Sequence, residues 1–196
     1  KAPEGSILNP RFPAAVNARH VPGHLLQAAV FGALAKILPE RIQADSGLGW
    51  PIGVAGEDAF GNSFSTQINF NGGQGARYHK DGTSTLSFPS NAWNTPLEIV
   101  ETLAPLVFEE KVLITDSGGA GRRRGGCGQR VAVRCTTTAK PVIVSIMADR
   151  FANPPLGTLG GGPGRRGAIR SNRAGRINPK GRIHLDHGDR LVFELT

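Results

Sequence analysis

Hydrophobic residues recur at helical spacing near the start of the chain and alternate with polar residues further along it. Between residues 22 and 38, apolar side chains return every three or four positions, and Pro39 ends the pattern. This spacing predicts a helix over residues 22–38. Because apolar residues cover most of its circumference, we expect this helix to be buried within a core or between chains.

Short segments rich in β-branched residues and bounded by turn formers predict strands. They are residues 51–58 and 63–70 in the first half, and 106–114, 129–137, 140–148, 182–186 and 190–196 in the second. We therefore predict an α+β fold, in which an N-terminal buried helix with short strands precedes a β-rich, glycine-rich C-terminal half. We divide the chain into a mixed α/β segment, residues 1–110, and a β-rich basic segment, residues 111–196.

Residues 71–95 form the longest stretch without periodic apolar residues. A long irregular loop in a compact domain is usually functional, so we expect this one at the mouth of an active site or at a subunit interface. Its candidate residues are Arg77, Asp81 and Asn94, and a solvated loop is the competing interpretation. A short helix over residues 96–104 comes next, with Thr95 as its predicted N-cap.

The formal net charge of +8 is unevenly distributed along the chain. Residues 1–110 carry seven basic and ten acidic side chains, whereas residues 111–196 carry sixteen basic and five acidic ones. The second segment therefore suits an anionic partner: nucleic acid, a phosphate ligand or an acidic protein surface. Phe151 is the one aromatic residue between positions 118 and 190. Single-strand binding needs aromatic stacking as well as charge, so nucleic acid is the less favoured partner.

The stretch Asp116–Gln129 reads DSGGAGRRRGGCGQ and matches several motifs in part. DSGG surrounds the nucleophile of some serine proteases, but no upstream histidine has the sequence setting of a catalytic base. Gly162–Gly167 fits GxGxxG, yet it comes after a loop rather than a strand, and the sequence contains no P-loop motif. A structural turn and an arginine–glycine contact with a partner remain as interpretations.

Two cysteines, Cys127 and Cys135, lie eight positions apart without a CxxC pair. This spacing does not suit a zinc site built on thiolates, so we expect no metal in this chain. Free thiols fit a reducing compartment, which predicts a cytoplasmic protein. The sequence has no apolar run of membrane-spanning length and no signal-peptide pattern in residues 1–30, so we expect no membrane partner.

Arg19, His20 and His24 surround the predicted start of the first helix. Two histidines four positions apart can share a metal ion, but Pro22 places His20 outside the predicted helix and no nearby carboxylate completes a ligand set. The amides at a helix N-terminus favour anions. We therefore predict these three residues as substrate or interface candidates; the alternative is that the histidines only complete the helix start.

Six stretches of the chain resemble, in order, the C-terminal part of the hydantoinase B/5-oxoprolinase family. They are APEGSILNPRFPAAVNARH, GALAKILPE, NFNGGQGARYHKDG, NTPLEIVE, DSGGAGRRRGGCGQ and ADRFANPPLGTLGGGPG. The family typically has GGxGAR followed by KDG, as at Gly73–Arg77 and Lys80–Gly82, and an aromatic residue where this chain has Arg123. The resemblance covers nearly the whole chain.

The resemblance implies that Asp116–Gln129 is a structural loop of a large enzyme subunit. Its glycines permit positive φ and close approach of the backbone, and its arginines are expected to contact other parts of an assembly. The residues assigned to this loop are Asp116, Gly118, Gly119, Arg124, Gly125 and Gly126.

The resemblance also implies an activity, that of a component of an ATP-dependent hydrolase of cyclic amides such as hydantoin or 5-oxoproline. In this family a hydantoinase A-like subunit binds ATP with Mg²⁺ and phosphorylates the ring carbonyl oxygen, and the B-like subunit takes part in ring opening. Related ketone carboxylases use the same pair of subunits. A small basic RNA-binding protein is the alternative from a different class.

A full B-like subunit is longer than this chain. The resemblance places the family's metal-binding residues in an N-terminal portion that this sequence does not contain. We therefore expect one piece of a B-like subunit, either a split subunit or a proteolytic fragment. Its expected partners are the remaining N-terminal part, which would hold any further divalent metal, and the A-like subunit, which would bind ATP with Mg²⁺.

Overall fold

The computed structural model describes residues 1–16, 19–86, 88–92 and 94–196. Two α-helices, α1 (His20–Leu34) and α2 (Leu97–Leu103), and a 3-10 turn at Pro39–Arg41 accompany the strands. The strands are β1 (Gly49–Glu57), β2 (Ser63–Asn71), β3 (Leu106–Leu113), β4 (Gln129–Cys135), β5 (Val142–Met147), β6 (Ala168–Ser171), β7 (Gly175–Arg176), β8 (Lys180–Leu185) and β9 (Arg190–Glu194).

The strands form two antiparallel sheets. A four-stranded sheet has the order β2-β1-β5-β8, and a five-stranded sheet has the order β3-β4-β9-β6-β7. The predicted α+β class, rich in β-structure, is therefore confirmed. Residue 110 lies inside β3 of the five-stranded sheet, and the four-stranded sheet combines β1 and β2 from before that position with β5 and β8 from after it. The predicted strands appear as β1–β5, β8 and β9, whereas β6 and β7 were not predicted because they lie in a segment of glycines and arginines.

One hydrophobic core fills the space between the two sheets. On β5 the buried residues Val142, Val144 and Ile146 alternate with more exposed ones, as a strand with one covered face requires. The facing sheet contributes Phe193, whose ring centroid lies 5.2 Å from that of Phe70 in β2. These residues belong to a single buried cluster, so the two sheets pack face to face.

Two arginines converge on Glu109 at a bulge in β3. The register between β3 and β4 shifts between Phe108 and Glu110. Glu109 accepts a hydrogen bond from Nε of Arg190 at 2.6 Å and one from Nε of Arg134 at 2.7 Å. These bonds, with that from Arg190 the stronger influence, lower the pKa of Glu109. Three neighbouring strands are thus joined by side chains as well as by their backbones.

The predicted burial of the first helix within the core is wrong, whereas burial between chains stays a prediction. The helix begins two residues earlier than predicted and ends at Leu34, and none of its fifteen residues is buried. Leu26 and Val30 are 45% and 46% exposed. A ring contact joins the helix to the loop before α2, where the centroids of Phe31 and Phe88 lie 6.4 Å apart. The helical pattern of apolar residues is real, but the described residues do not supply the surface that would cover it.

The second helix is close to its prediction at residues 96–104, but its start differs. Its N-cap is Pro96 rather than Thr95, and no side chain caps it. The helix is instead joined to the following strand by Glu101, whose Oε1 accepts a hydrogen bond from the backbone N–H of Phe108 at 2.7 Å. Within the described residues, neither helix is long and apolar enough to span a lipid bilayer.

Strand register brings the long loops of the chain to one end of the sandwich. The start of β1 pairs with the end of β2, and the end of β5 lies beside the same region of β1. In the other sheet, the starts of β4 and β6 both pair with the end of β9. The segments that meet there are residues 42–48, 72–84, 114–128, 148–167 and 195–196.

The exposure of α1 predicts a contrast between two leucine substitutions. Leu191→Ala in β9 removes a completely buried side chain and should lower the free energy of unfolding by about 2–5 kcal/mol. Leu26→Ala on α1 should change it by no more than about 0.5 kcal/mol. Urea unfolding followed by circular dichroism measures both. Equal losses in the two variants would mean that α1 is packed in solution.

Candidate functional site

A cavity of about 360 Å³ lies where the long loops meet. Main chain forms much of its wall, because many lining positions are glycine. We call it the glycine-lined cavity. Its walls come from residues 39, 42, 44–45, 73–78, 117–123, 125–126, 155–159, 161–162, 164 and 196. The cavity therefore occupies the loop end of the sandwich and not its core.

Close approach between main chains holds these loops together. A Cβ built on Gly73 would overlap the carbonyl oxygen of Gly126, and a Cβ on Gly126 would overlap that of Thr83. The same holds for Gly118 against Gly125, and for Gly119 against the carbonyl of residue 162. Only residues without a side chain allow this spacing.

The loop glycines provide close approach of the backbone and not positive φ. Gly118, Gly119, Gly125 and Gly126 are needed for close approach, but none of them has a positive φ. The left-handed conformation in this loop belongs to Asp116, with a φ of 54°. Asp116 also lies 3.7 Å from the guanidinium of Arg124, and both side chains are largely exposed. At that exposure the ion pair adds little stability.

Hydrogen bonds connect residues 71–95 to the Asp116–Gln129 loop. Oδ1 of Asp81 accepts the backbone N–H of Arg124 at 3.0 Å, and the carbonyl of Arg124 accepts the N–H of Gly82 at 2.8 Å. The carbonyl of Gln74 accepts the N–H of Gly126 at 2.9 Å. Two segments that are far apart in the sequence are thus one structural unit beside the cavity.

Ser117 serves this unit as a structural residue. It is buried, its hydroxyl donates to the carbonyl of Ile114 at 2.8 Å, and its oxygen accepts the N–H of Gly128 at 2.8 Å. Because the hydroxyl both donates to and accepts from the backbone, this serine stabilises the turn. This arrangement agrees with the rejection of DSGG as a protease motif.

A buried ion pair that the sequence did not reveal fixes the opposite wall. Asp45 pairs with Arg150, and their side chains are only 15% and 8% exposed. Asp45 also accepts the N–H of Ser46 at 2.8 Å, and its own N–H donates to the carbonyl of Leu156 at 3.1 Å. Arg150 has a φ of 68°, unusual for a residue with a side chain. Removing either partner would leave an uncompensated buried charge.

Positive charge dominates the cavity walls. Arg77, Arg122 and Arg123 line the cavity, and all three are exposed. Asp45 is the carboxylate among the described lining residues, and Arg150 already neutralises it. The field inside the cavity therefore favours an anion.

The predicted histidine site lies apart from this cavity. The rings of His20 and His24 have centroids 5.9 Å apart at the start of α1, and neither lines the cavity. Partial burial, and secondarily the charge of His20, lower the pKa of His24. Arg19 is the exposed N-cap of α1 and makes no side-chain cap bond.

The remaining candidate from the irregular loop also lies elsewhere. Oδ1 of Asn94 accepts a hydrogen bond from Nδ2 of Asn71 at 3.3 Å, next to the end of β2. The structure therefore brings Arg77 and Asp81 together with the Asp116–Gln129 loop, while Asn94 and the three residues of the helix start stand outside the group. The assignment of all these residues to a site stays a prediction.

Sequence reasoning missed Asp45, Arg150 and the loop at residues 155–164. The sequence of that loop indicates only turns, although its density of glycines matches that of Asp116–Gln129 and could have signalled a second contact of the same kind. Within the ranges that the structure describes, no three His, Cys, Asp or Glu side chains are grouped as a metal site would require.

A family model described as hydantoinase B/oxoprolinase matches residues 1–196. The chain belongs to the hydantoinase B/oxoprolinase family, as the sequence resemblance predicted.

Three curated relatives show how the chain matches longer proteins. An uncharacterised protein of Methanocaldococcus jannaschii is 32% identical over 96% of this chain and 33% of its own length. The caprolactamase subunit beta of Pseudomonas jessenii is 32% identical over 72% of this chain and 26% of its own. The 5-oxoprolinase of Dictyostelium discoideum is 30% identical over 97% of this chain and 14% of its own length. The chain thus spans a third or less of these relatives.

Two solved structures share the fold. The crystal structure of ATP-dependent caprolactamase from Pseudomonas jessenii superposes with a TM-score of 0.82 and 23% identity, over 98% of this chain and 36% of that one. A nucleotide-free structure of acetone carboxylase superposes with a TM-score of 0.64 and 17% identity, over 86% of this chain and 28% of that one. At these identities the likeness establishes the fold alone.

Main-chain packing at the cavity predicts opposite effects for two glycine substitutions. Gly73→Ala forces the two loops apart, because its Cβ meets backbone that no rotamer change can move, and should cost about 1–3 kcal/mol or more. Gly32→Ala in α1 meets nothing within 4 Å and should be neutral or stabilising by about 0.5–1 kcal/mol. Thermal unfolding distinguishes them; a fully stable Gly73→Ala variant would refute the close approach.

The lowered pKa of His24 predicts a measurable titration. Its imidazole should titrate below the ordinary value of 6.5 in an NMR pH series. His20→Gln should move that pKa back towards 6.5 but not fully, since burial is the larger cause. Because the folded chain binds this proton less readily than the unfolded chain, stability should fall as the pH drops through about 6.5. A His24 pKa above 6.5 would contradict the partial burial.

Proposed function

We propose that this chain forms part of an ATP-dependent enzyme that opens cyclic amides, with the glycine-lined cavity as its contribution to the active site. The observation that carries the proposal is the match of residues 1–196 to the hydantoinase B/oxoprolinase family. The names of two relatives, caprolactamase and 5-oxoprolinase, both denote enzymes acting on a ring amide. These names support the class of reaction and leave the particular ring open.

The dimensions of the cavity suit a small molecule. Its volume of about 360 Å³ falls in the lower part of the range of ligand sites, roughly 300–1,000 Å³. A five- to seven-membered ring and its immediate surroundings fit such a space. Because backbone lines much of the wall, carbonyl and N–H groups are available to orient a ring amide.

The proposed reaction overcomes the poor reactivity of an amide by phosphorylation. Transfer of the terminal phosphoryl group of ATP to the ring carbonyl oxygen releases ADP and makes the ring carbon more electrophilic. Water adds to this carbon, and the C–N bond breaks as the nitrogen takes a proton. A second water then releases phosphate from the resulting acyl phosphate and leaves a carboxylate.

Partners complete the proposed enzyme. We assign ATP and Mg²⁺ to a hydantoinase A-like subunit, and any further divalent metal to the portion of a B-like subunit that the curated relatives have beyond their match to this chain. The match to a third or less of each relative supports this division. This chain would then supply walls of the cavity and not the nucleotide site.

A carboxylase is the second candidate, because the acetone carboxylase structure shares the fold with a TM-score of 0.64. In that reaction ATP would phosphorylate bicarbonate, and a carbanion of the ketone would attack the carboxyl carbon of the resulting carboxyphosphate and release phosphate. A small RNA-binding protein is less favoured, since membership of the enzyme family accounts for the whole chain.

Co-expression with a hydantoinase A-like subunit and the complementary B-like portion tests the proposal. Purified assemblies would be incubated with ATP and either caprolactam, hydantoin or 5-oxoproline, and ADP and the ring-opened product would be quantified together. Equal amounts of ADP and product from at least one ring are expected. ATP-dependent carboxylation of acetone, with no ring opened, would support the second candidate.

Asp81 provides a matched pair of variants for the same assay. Asp81→Ala removes the acceptor for the N–H of Arg124 and should lower ring-opening activity at least tenfold, about 1.4 kcal/mol in transition-state stabilisation. Asp81→Asn retains an oxygen in the same position and should stay within a few-fold of the parent. Unchanged activity in Asp81→Ala would favour a solvated loop over a site wall.

A further inference from the structure

The cationic character of the glycine-lined cavity comes from side chains that have no acidic partner in the described residues. Arg77, Arg122 and Arg123 take part in none of the ion pairs found there. Their neighbour Arg124, by contrast, pairs with Asp116. Three arginines on one cavity, without a carboxylate among them, repel one another unless an anion is present.

The one carboxylate of the described wall does not offset this charge. Asp45 is held by Arg150 and by backbone N–H groups, so its negative charge is already compensated. Arg150 is 8% exposed and lies outside the lining of the cavity. A ligand entering the cavity therefore meets the three arginines without a competing acid.

We propose that the glycine-lined cavity binds a small oxyanion, a phosphate or carboxylate group, through Arg77, Arg122 and Arg123. The inference rests on the proposed function for the molecule that carries the group. A cyclic amide itself has no charge on its ring carbonyl. Phosphorylation of that oxygen and cleavage of the ring each create an oxyanion at this position.

An oxyanion site makes the cavity prefer the species formed after activation over the starting amide. A cavity tuned to an oxyanion at the carbonyl position binds the phosphorylated ring and the carboxylate product more tightly than the neutral ring. Interactions made after activation, and not with the starting amide, are those that accelerate the chemical steps. The charge of this chain would then act on the activated species delivered by an ATP-binding partner.

Ligand titration of the full chain tests the inference. Inorganic phosphate, acetate and caprolactam represent the phosphate group, the carboxylate group and the neutral ring, and calorimetry measures each dissociation constant at low and at high salt. Phosphate, acetate or both should bind, more weakly at high salt, and caprolactam should bind at least tenfold more weakly than the better anion. The stronger anion identifies which group the cavity prefers.

Variants locate the binding. The double substitution Arg122→Ala and Arg123→Ala should weaken anion binding at least tenfold, and Arg77→Ala should weaken it as well. Arg166→Ala is the matched control, because Arg166 is exposed, forms none of the ion pairs found and does not line the cavity. Equal binding by the parent and the double variant, or an equal loss in the control, would overturn the proposal.

A failure of the oxyanion site is distinguishable from a failure of the proposed function. Anion binding that depends on the cavity arginines, in an assembly that opens no cyclic amide, would uphold the site and refute the assigned reaction. Ring opening with normal rates in the double arginine variant would refute the oxyanion site and leave the reaction standing.

Discussion

The loop end of this protein depends on main chains that approach each other more closely than any side chain allows. Gly73 faces the carbonyl of Gly126, and Gly47 and Gly72 both face that of Thr196. Each contact joins a different pair of loops, so a single added methyl group would disturb the common wall. Contacts between main chains therefore determine the shape of the cavity. The charged side chains line the cavity but do not determine its shape.

The sandwich beneath supplies the rigidity that such a frame needs. Core residues from both sheets form one cluster, and the strand ends that emerge from it determine where each loop begins. The buried Asp45–Arg150 pair then fixes the segment before β1 against the loop after β5. The apolar core thus provides the stability, and the polar loop layer provides the geometry of the site. The two meet at the strand ends.

The sequence predicted those parts of the fold that local patterns encode. Alternation identified seven strands, and β6 escaped because Arg170 and Ser171 interrupt its apolar character. The exposure of α1 could not be deduced from the sequence. The apolar pattern shows that the helix surface is hydrophobic, but it does not show whether another part of the protein covers that surface. Asp81 was recognised as a candidate, but its partner was unpredictable: the bond to Arg124 spans 43 positions. The Asp45–Arg150 pair, 105 positions apart, is a product of topology alone.

The two ends of the sandwich differ in the lengths of their connections, and this asymmetry bears on how the protein can be handled. Opposite the cavity, the strands are joined by short turns at residues 58–62, 136–141, 172–174 and 186–189. Phe60 at the tip of the first turn is 90% exposed. Exposed turn tips are the positions that best tolerate insertions. A fluorophore, an affinity tag or a surface tether attached at these turns would lie at the end of the sandwich opposite the cavity and would leave the loops around the cavity accessible.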